Sequence, residues 1–240
     1  MSRVRAACSR PQSAPGPGMR AAPVVLICTA LLLTSCSGLH SRKPVAQTYV
    51  LSVAPAPAAS TGAAAAPDSP AAPARASLSI QVARPQARPG LETERIALLQ
   101  PGHRGDFYAG SQWPGALPDV VESLIVDRLR AARHWPVVEG SRAAFPAEYL
   151  LQVRIARFEA SAATEGAAPG VAVTLQCILG DRTDREVLSE FTVEGSAQAD
   201  ANRMTAVVAA FEKATNAALD QLEMQAWSAV STQPKKSQAR

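Results

Sequence analysis

An α+β fold, with a mainly antiparallel sheet covered by two helices, follows from three features of the 240-residue sequence. Residues 149–194 hold three runs in which apolar and polar side chains alternate, the period of half-buried strands. Residues 117–133 and 204–227 instead repeat apolar side chains every three or four positions, as helices lying on a sheet do. Short connections between the three alternating runs make them an antiparallel meander with one solvated face.

The N-terminus reads as an export segment. Arg20 precedes the apolar run from Val24 to Leu33. At about ten residues it is too short to cross a hydrocarbon core of roughly 30 Å, so residues 1–35 are read as a signal peptide. Leu33-Thr34-Ser35-Cys36 follows and resembles the bacterial lipobox. Small side chains there fit a peptidase groove while the Cys36 thiol is presented to accept diacylglycerol. The resemblance implies acyl chains, palmitate among them, on Cys36. Several chains anchor durably where one binds only reversibly. Ser37, rather than Asp, favours onward sorting to an outer membrane, with the protein facing the periplasm.

Gln47 to Val53 is β-branched and aromatic and is the expected first strand, so residues 36–53 form a lipidated N-terminus and that strand. Residues 54–76 then carry 12 Ala and 5 Pro, which can neither bury a core nor continue a helix. They are read as a disordered insertion. An α+β domain is expected over 77–230. Leu78 to Val82 alternates as a half-buried strand, and Arg95 to Leu99 is another, with Pro85, Pro89 and Gly90 interrupting the ladder between them.

Leu117, Val120, Val121, Leu124, Ile125 and Leu129 share one helical face, with Pro118 in the first turn. Trp135 to Val138 follows as an edge strand. Leu151, Val153 and Ile155 point one way, and a phase reversal at Arg157-Phe158 predicts a bulge. Val171, Val173, Leu175, Cys177 and Leu179 form the second strand of the meander; Val187, Ser189, Phe191 and Val193 the third. Asp200 is the expected N-cap of the long last helix, and residues 231–240 a frayed tail.

Charge excludes one class of partner. Four of the 24 Lys and Arg residues lie in residues 1–35, where there is no acidic residue, leaving 20 basic against 20 acidic groups beyond it. A neutral mature chain with no internal basic block is not built to neutralise phosphates, so no nucleic acid is expected. Cys177 is the one thiol in the folded part. It can form neither an internal disulfide nor a thiolate metal site, and no metal or cofactor is expected. His40, His103 and His134 lack metal-ligand spacing, and there is no G-x-S-x-G, P-loop or G-x-G-x-x-G. His103 with Asp106 is better read as solvated polarity than as an acid/base pair, and Asp181, Asp184 and Glu186 as a turn rather than a calcium site. No enzyme activity is expected.

Phe107, Tyr108 and Trp113 place three aromatic side chains within seven positions, just ahead of a helix. Two readings stand: core packing that locks the helix to the sheet, or a partner-binding surface. The surrounding blocks carry a family resemblance. Arg84-Pro85, then Pro89-Gly90-Leu91-Glu92-Thr93-Glu94-Arg95-Ile96-Ala97-Leu98-Leu99, then Asp106-Phe107-Tyr108-Ala109-Gly110-Ser111-Gln112-Trp113 and Leu117-Pro118 resemble the ABC-type transport auxiliary lipoproteins. Members of that family accompany mammalian-cell-entry (MCE) domain systems that move lipids between bacterial membranes. The likeness spans roughly residues 36–225, and the 54–76 insertion departs from it.

The resemblance implies a non-enzymatic accessory fold similar to the N-terminal domain of TolB, with the MCE-domain protein, permease and ATPase on separate chains. Cys36 is the one residue it carries over. The expected function is a membrane-anchored docking component between membranes; the alternative is a periplasmic lipid-binding carrier with an acyl chain in a sheet-helix cleft. Exposed strand edges also admit a homo-oligomer.

Overall fold

The computed structural model describes residues 45–53, 78–164 and 166–232. The signal segment, Cys36, the 54–76 insertion and residues 233–240 lie outside the described residues. Among the described residues nine strands and two helices follow in order: β1 (Gln47–Thr48), β2 (Ser79–Val82), β3 (Gln86–Ala87), β4 (Arg95–Gln100), β5 (Arg104–Gln112), α1 (Leu117–Ala132), β6 (Val137–Glu139), β7 (Tyr149–Ser161), β8 (Gly170–Asp181), β9 (Glu186–Gln198) and α2 (Met204–Ser231).

The three long strands have the alternation and the antiparallel order that their sequence predicts. β7 pairs β8 from Tyr149↔Asp181 to Ser161↔Gly170, and β8 pairs β9 along the same length. The register slips between Ile155 and Arg157, where the phase reversal predicts a bulge, and the extra residue lets Ile155 and Phe158 both reach the core. At the start of β9 the alternation misleads: Val187 is 64 % exposed. A second slip, between Leu179 and Gly180, leaves Val187 opposite Gly180 on the open face.

The sheet as a whole is mixed: most of its paired residues are antiparallel, but most of its strand-to-strand joins are parallel. Antiparallel pairings join β4 to β5, β7 to β8 and β8 to β9, whereas β1–β5, β2–β6, β2–β7, β3–β7 and β4–β7 are parallel. The cause is in the prolines. Pro85 and Pro89 interrupt the ladder without reversing the chain, so β2, β3 and β4 succeed one another along a single edge of β7. Ile80 lies opposite Tyr149, Gln86 opposite Arg154 and Leu98 opposite Ala160. Helix α1 then returns the chain to lay β6 beside β2. β2 is buried on both sides rather than half-buried, with Gln81 donating through Nε2 to the Gly140 carbonyl at 3.2 Å. The predicted first strand shortens to two residues.

Both helices contribute to one core cluster with the inward side chains of β2, β7 and β8. α1 buries Leu117, Val121, Leu124, Ile125 and Leu129, and Pro118 lies in its first turn as predicted. α2 starts four residues later than Asp200. Ala199 N–H is still tied to the Pro169 carbonyl at 2.9 Å, so the chain needs three more residues to turn onto the sheet. α2 then packs against β9 so closely that a Cβ on Gly195 would lie 1.9 Å from the Ala214 carbonyl oxygen. The buried Arg128 of α1 bonds Asp220 of α2 at 2.5 Å and couples the two helices.

Candidate docking surface

The aromatic segment lies on the β4–β5 hairpin. Its loop, Pro101-Gly102-His103, turns through two left-handed residues, Gly102 at φ 77° and His103 at φ 62°. Asp106 Oδ2 accepts from Gln100 Nε2 at 2.6 Å and Oδ1 from the Phe107 amide at 2.8 Å. Its carboxylate holds the hairpin, and His103 is not among its partners here.

The ladder register then jumps. Arg95 pairs with Gln112 and Ala97 with Phe107, so Tyr108, Ala109, Gly110 and Ser111 stand opposite Ile96 alone. Gly110, at φ 65°, supplies the left-handed residue this wide bulge requires. Beyond the bulge the Trp113 amide donates to the Glu94 carbonyl at 2.7 Å, and the indole turns inward.

The segment thereby divides between the two sequence readings. Trp113 is 1 % exposed, edge-on to Phe158 at 6.0 Å and to Phe211 at 5.3 Å, while those two rings stack at 5.2 Å. This cluster bolts the start of α1 to β7 and α2, so Trp113 serves the core and is removed from the candidate surface. Phe107 stays half-buried, with the Arg95 guanidinium carbon 3.9 Å from its ring centroid, a cation–π contact. Tyr108 is half-buried too, and desolvation pushes its phenol above the ordinary value. It lines a recess of about 140 Å³ with Leu98, Pro101, Pro169, Ala162 and Asn202.

A second cavity of about 440 Å³ lies between α1 and the loop after β6, lined by Asp119, Glu122, Ser123, Glu139 and Arg142. Glu122 Oε1 accepts from the Ser141 amide at 2.7 Å and Oε2 from the Ser141 hydroxyl at 3.0 Å, which fixes that loop. Arg84 Nε donates to Asp119 Oδ1 at 2.8 Å and holds the Asp119 carboxyl below its ordinary value.

Other sequence candidates take structural places. The Cys177 thiol is fully buried, which pushes its pKa to about 12 and leaves it unreactive at neutral pH. Asp181 Oδ1 accepts from the amides of Thr183 and Asp184, at 2.7 and 3.0 Å, as a turn requires. His134 bonds the buried Glu223 at 2.5 Å and stacks on Trp227. Among the described residues no group of His, Cys, Asp and Glu is placed to hold a metal ion, and no helix is long and apolar enough to cross a membrane.

Two features escaped the sequence reading. Phe145, in the loop between β6 and β7, is 83 % exposed, an apolar side chain that no periodicity flags. Glu159 is buried between Arg88, at 3.4 Å, and Arg157, at 3.2 Å. Its place directly after the predicted bulge was the available signal.

Fold and surface together define an α+β protein whose buried aromatic cluster supports a presented hairpin. A model of the family described as ABC-type transport auxiliary lipoprotein component matches residues 49–223, and the chain belongs to that family. Auxiliary transport is not an enzymatic class. The chain shares its fold with protein XCC0632 from Xanthomonas campestris, at 22 % identity and a TM-score of 0.64, over 78 % of this chain and 97 % of that one. An uncharacterized protein is also similar, at 9 % identity and a TM-score of 0.56, over 75 % of this chain and 98 % of the other. No curated protein matches the chain in sequence.

Proposed function

We propose that the protein is a non-enzymatic accessory of an MCE-domain lipid transport system, anchored in the outer membrane through lipidated Cys36 and docking a transport subunit through its β4–β5 hairpin. The carrying observation is the hairpin. Tyr108 is half-exposed at the start of a wide bulge and lines a recess with several apolar walls, while Phe107, also half-exposed, occupies the preceding ladder position opposite Ala97. A half-buried aromatic next to a side-chain-sized recess is the arrangement that anchors protein interfaces.

The chain path supports the placement. β1 pairs in parallel with the end of β5, Tyr49 N–H donates to the Gln112 carbonyl at 2.9 Å, and Asn216 Nδ2 donates to the Ser52 carbonyl at 3.1 Å. Eight residues, 37–44, lie between Cys36 and Val45, nine peptide steps that span at most about 30 Å.

The carrier alternative has less support. The larger cavity is walled by carboxylates and an arginine, which an acyl chain does not displace water from at a gain. The smaller is under the roughly 300 Å³ at which small-molecule pockets begin.

The test is purification of the lipidated chain from its native envelope in mild detergent, identifying proteins and lipids by mass spectrometry. Recovery of an MCE-domain subunit with its permease and ATPase, lost in Phe107→Ala with Tyr108→Ala while Cys36→Ala releases the chain from the membrane, is the expected result. Stoichiometric phospholipid with no partner protein overturns docking in favour of a carrier.

A further inference from the structure

β9 runs for 13 residues and, among the described residues, pairs on one side only, with β8. Its other edge is a row of backbone groups, the template on which an added strand forms. One position on that edge shows what fits it. Gln221 of α2 donates from Nε2 to the Glu194 carbonyl at 2.7 Å and accepts from the Glu194 amide at 3.3 Å. The side-chain amide thus stands where a neighbouring strand's peptide group would. Backbone direction repeats every second residue, so Thr192 and Glu190 present their amide and carbonyl outward as Glu194 does.

The side chains along this edge carry one sign. Glu190 and Glu194, four residues apart on the open face, are exposed, with exposed Thr192 between them; Glu186, exposed too, lies beyond the slip and faces the other side. Among the described residues Glu190 and Glu194 form no ion pair. The nearest cations by register, Arg154 and Arg157, are on β7, across Gln176 and Thr174 of β8. That is two strand spacings, about 10 Å, where screening is already strong. Like charges opposite one another oppose pairing, so two copies of this edge repel, whereas a strand bearing cations on the same face is favoured at each cross-strand pair.

From these observations we infer that the free edge of β9, from Glu186 to Thr192, binds an extended, lysine- or arginine-bearing segment of a partner protein by strand addition. The segment lies beside β9 with its cations on the open face of the sheet, against Glu190 and Glu194, and it ends where Gln221 closes the edge. This surface is separate from the β4–β5 hairpin, and the inference stands without the hairpin reading.

The test uses the full chain, isotopically labelled, and two synthetic nine-residue peptides, one alternating lysine with threonine and one alternating glutamate with threonine. Amide exchange at Glu190 and Thr192 is expected to slow at least tenfold with the lysine peptide and not with the glutamate peptide. Glu190→Lys combined with Glu194→Lys is expected to reverse that preference. Thr192→Pro removes an outward N–H that the β8 ladder does not use, so it is expected to abolish protection with the β8–β9 amide signals otherwise in place. Equal protection by both peptides, protection that survives Thr192→Pro, or protection that depends on protein concentration with no peptide present overturns the inference.

Discussion

The β7–β8–β9 meander and the β1–β6 half of the sheet solve the same packing problem in opposite ways. The meander uses long strands in continuous register, each holding its inward set by alternation, with two single-residue slips. The other half uses strands of two to nine residues, three of them laid end to end along one edge of β7. A long ladder carries its own register, because a one-residue slip would turn every core side chain to solvent. A two-residue strand such as β3 carries none and is placed by what surrounds it: the Arg88 amide on the Ile155 carbonyl at 3.1 Å and the Arg88 guanidinium on Glu159. The difference teaches that the arginines, prolines and glycines of the first half act as joints, and the apolar alternation of the second as a frame.

The sharpest way to break this division is at the bolt between the halves. Trp113→Ala empties a fully buried site between Phe158 and Phe211, and a loss of about 3–5 kcal/mol is expected in denaturant unfolding. If the loss instead falls under 1 kcal/mol, the halves are not joined there. Gly195→Val tests the frame. Its side chain meets the Ala214 backbone, and a destabilisation of about 1–3 kcal/mol or more is expected, with near-UV signals from the aromatic cluster perturbed as α2 lifts.

Glu159→Gln tests a joint. Its two arginines are half-exposed, so about 1 kcal/mol is expected, with amide exchange accelerating at Arg88 while β8 stays protected. The smallest effect belongs to Arg84 and Asp119. The folded-state carboxyl of Asp119 is held below its ordinary value of 3.8 by Arg84, so it binds a proton less readily folded than unfolded. Its contribution is therefore present above that ordinary value and is lost as pH falls through the lower folded one. With both side chains nearly half exposed, Asp119→Asn is expected to cost a few tenths of a kcal/mol at pH 7, a cost that shrinks as pH falls below 3.8.

Much of the fold was legible before any coordinates. The α+β class, the long strands, the bulge after Ile155, both helices and the burial of Cys177 come from periodicities of two and 3.6, which are local and need no partner to be recognised. Family membership was legible as well, in the Arg-Ile-Ala-Leu-Leu and Asp-Phe-Tyr-Ala-Gly blocks. The candidate surface was legible only as a segment. Phe107, Tyr108 and Trp113 fall within seven positions, yet their fates separate at Gly110, where a left-handed residue lets four residues of β5 face one of β4.

The remaining features depend on residues far apart in the chain. That β2, β3 and β4 run parallel to β7 requires a helix between them and their partner. That Glu159 is buried requires Arg88, 71 positions away. That β9 ends as an edge closed by Gln221 requires α2 to cross it 27 positions on. Side-chain period is written in neighbouring residues and survives any tertiary arrangement. Strand direction, edge position and the division of an aromatic cluster between core and surface arise only when distant segments compete for the same space, and there packing, not local pattern, sets the outcome.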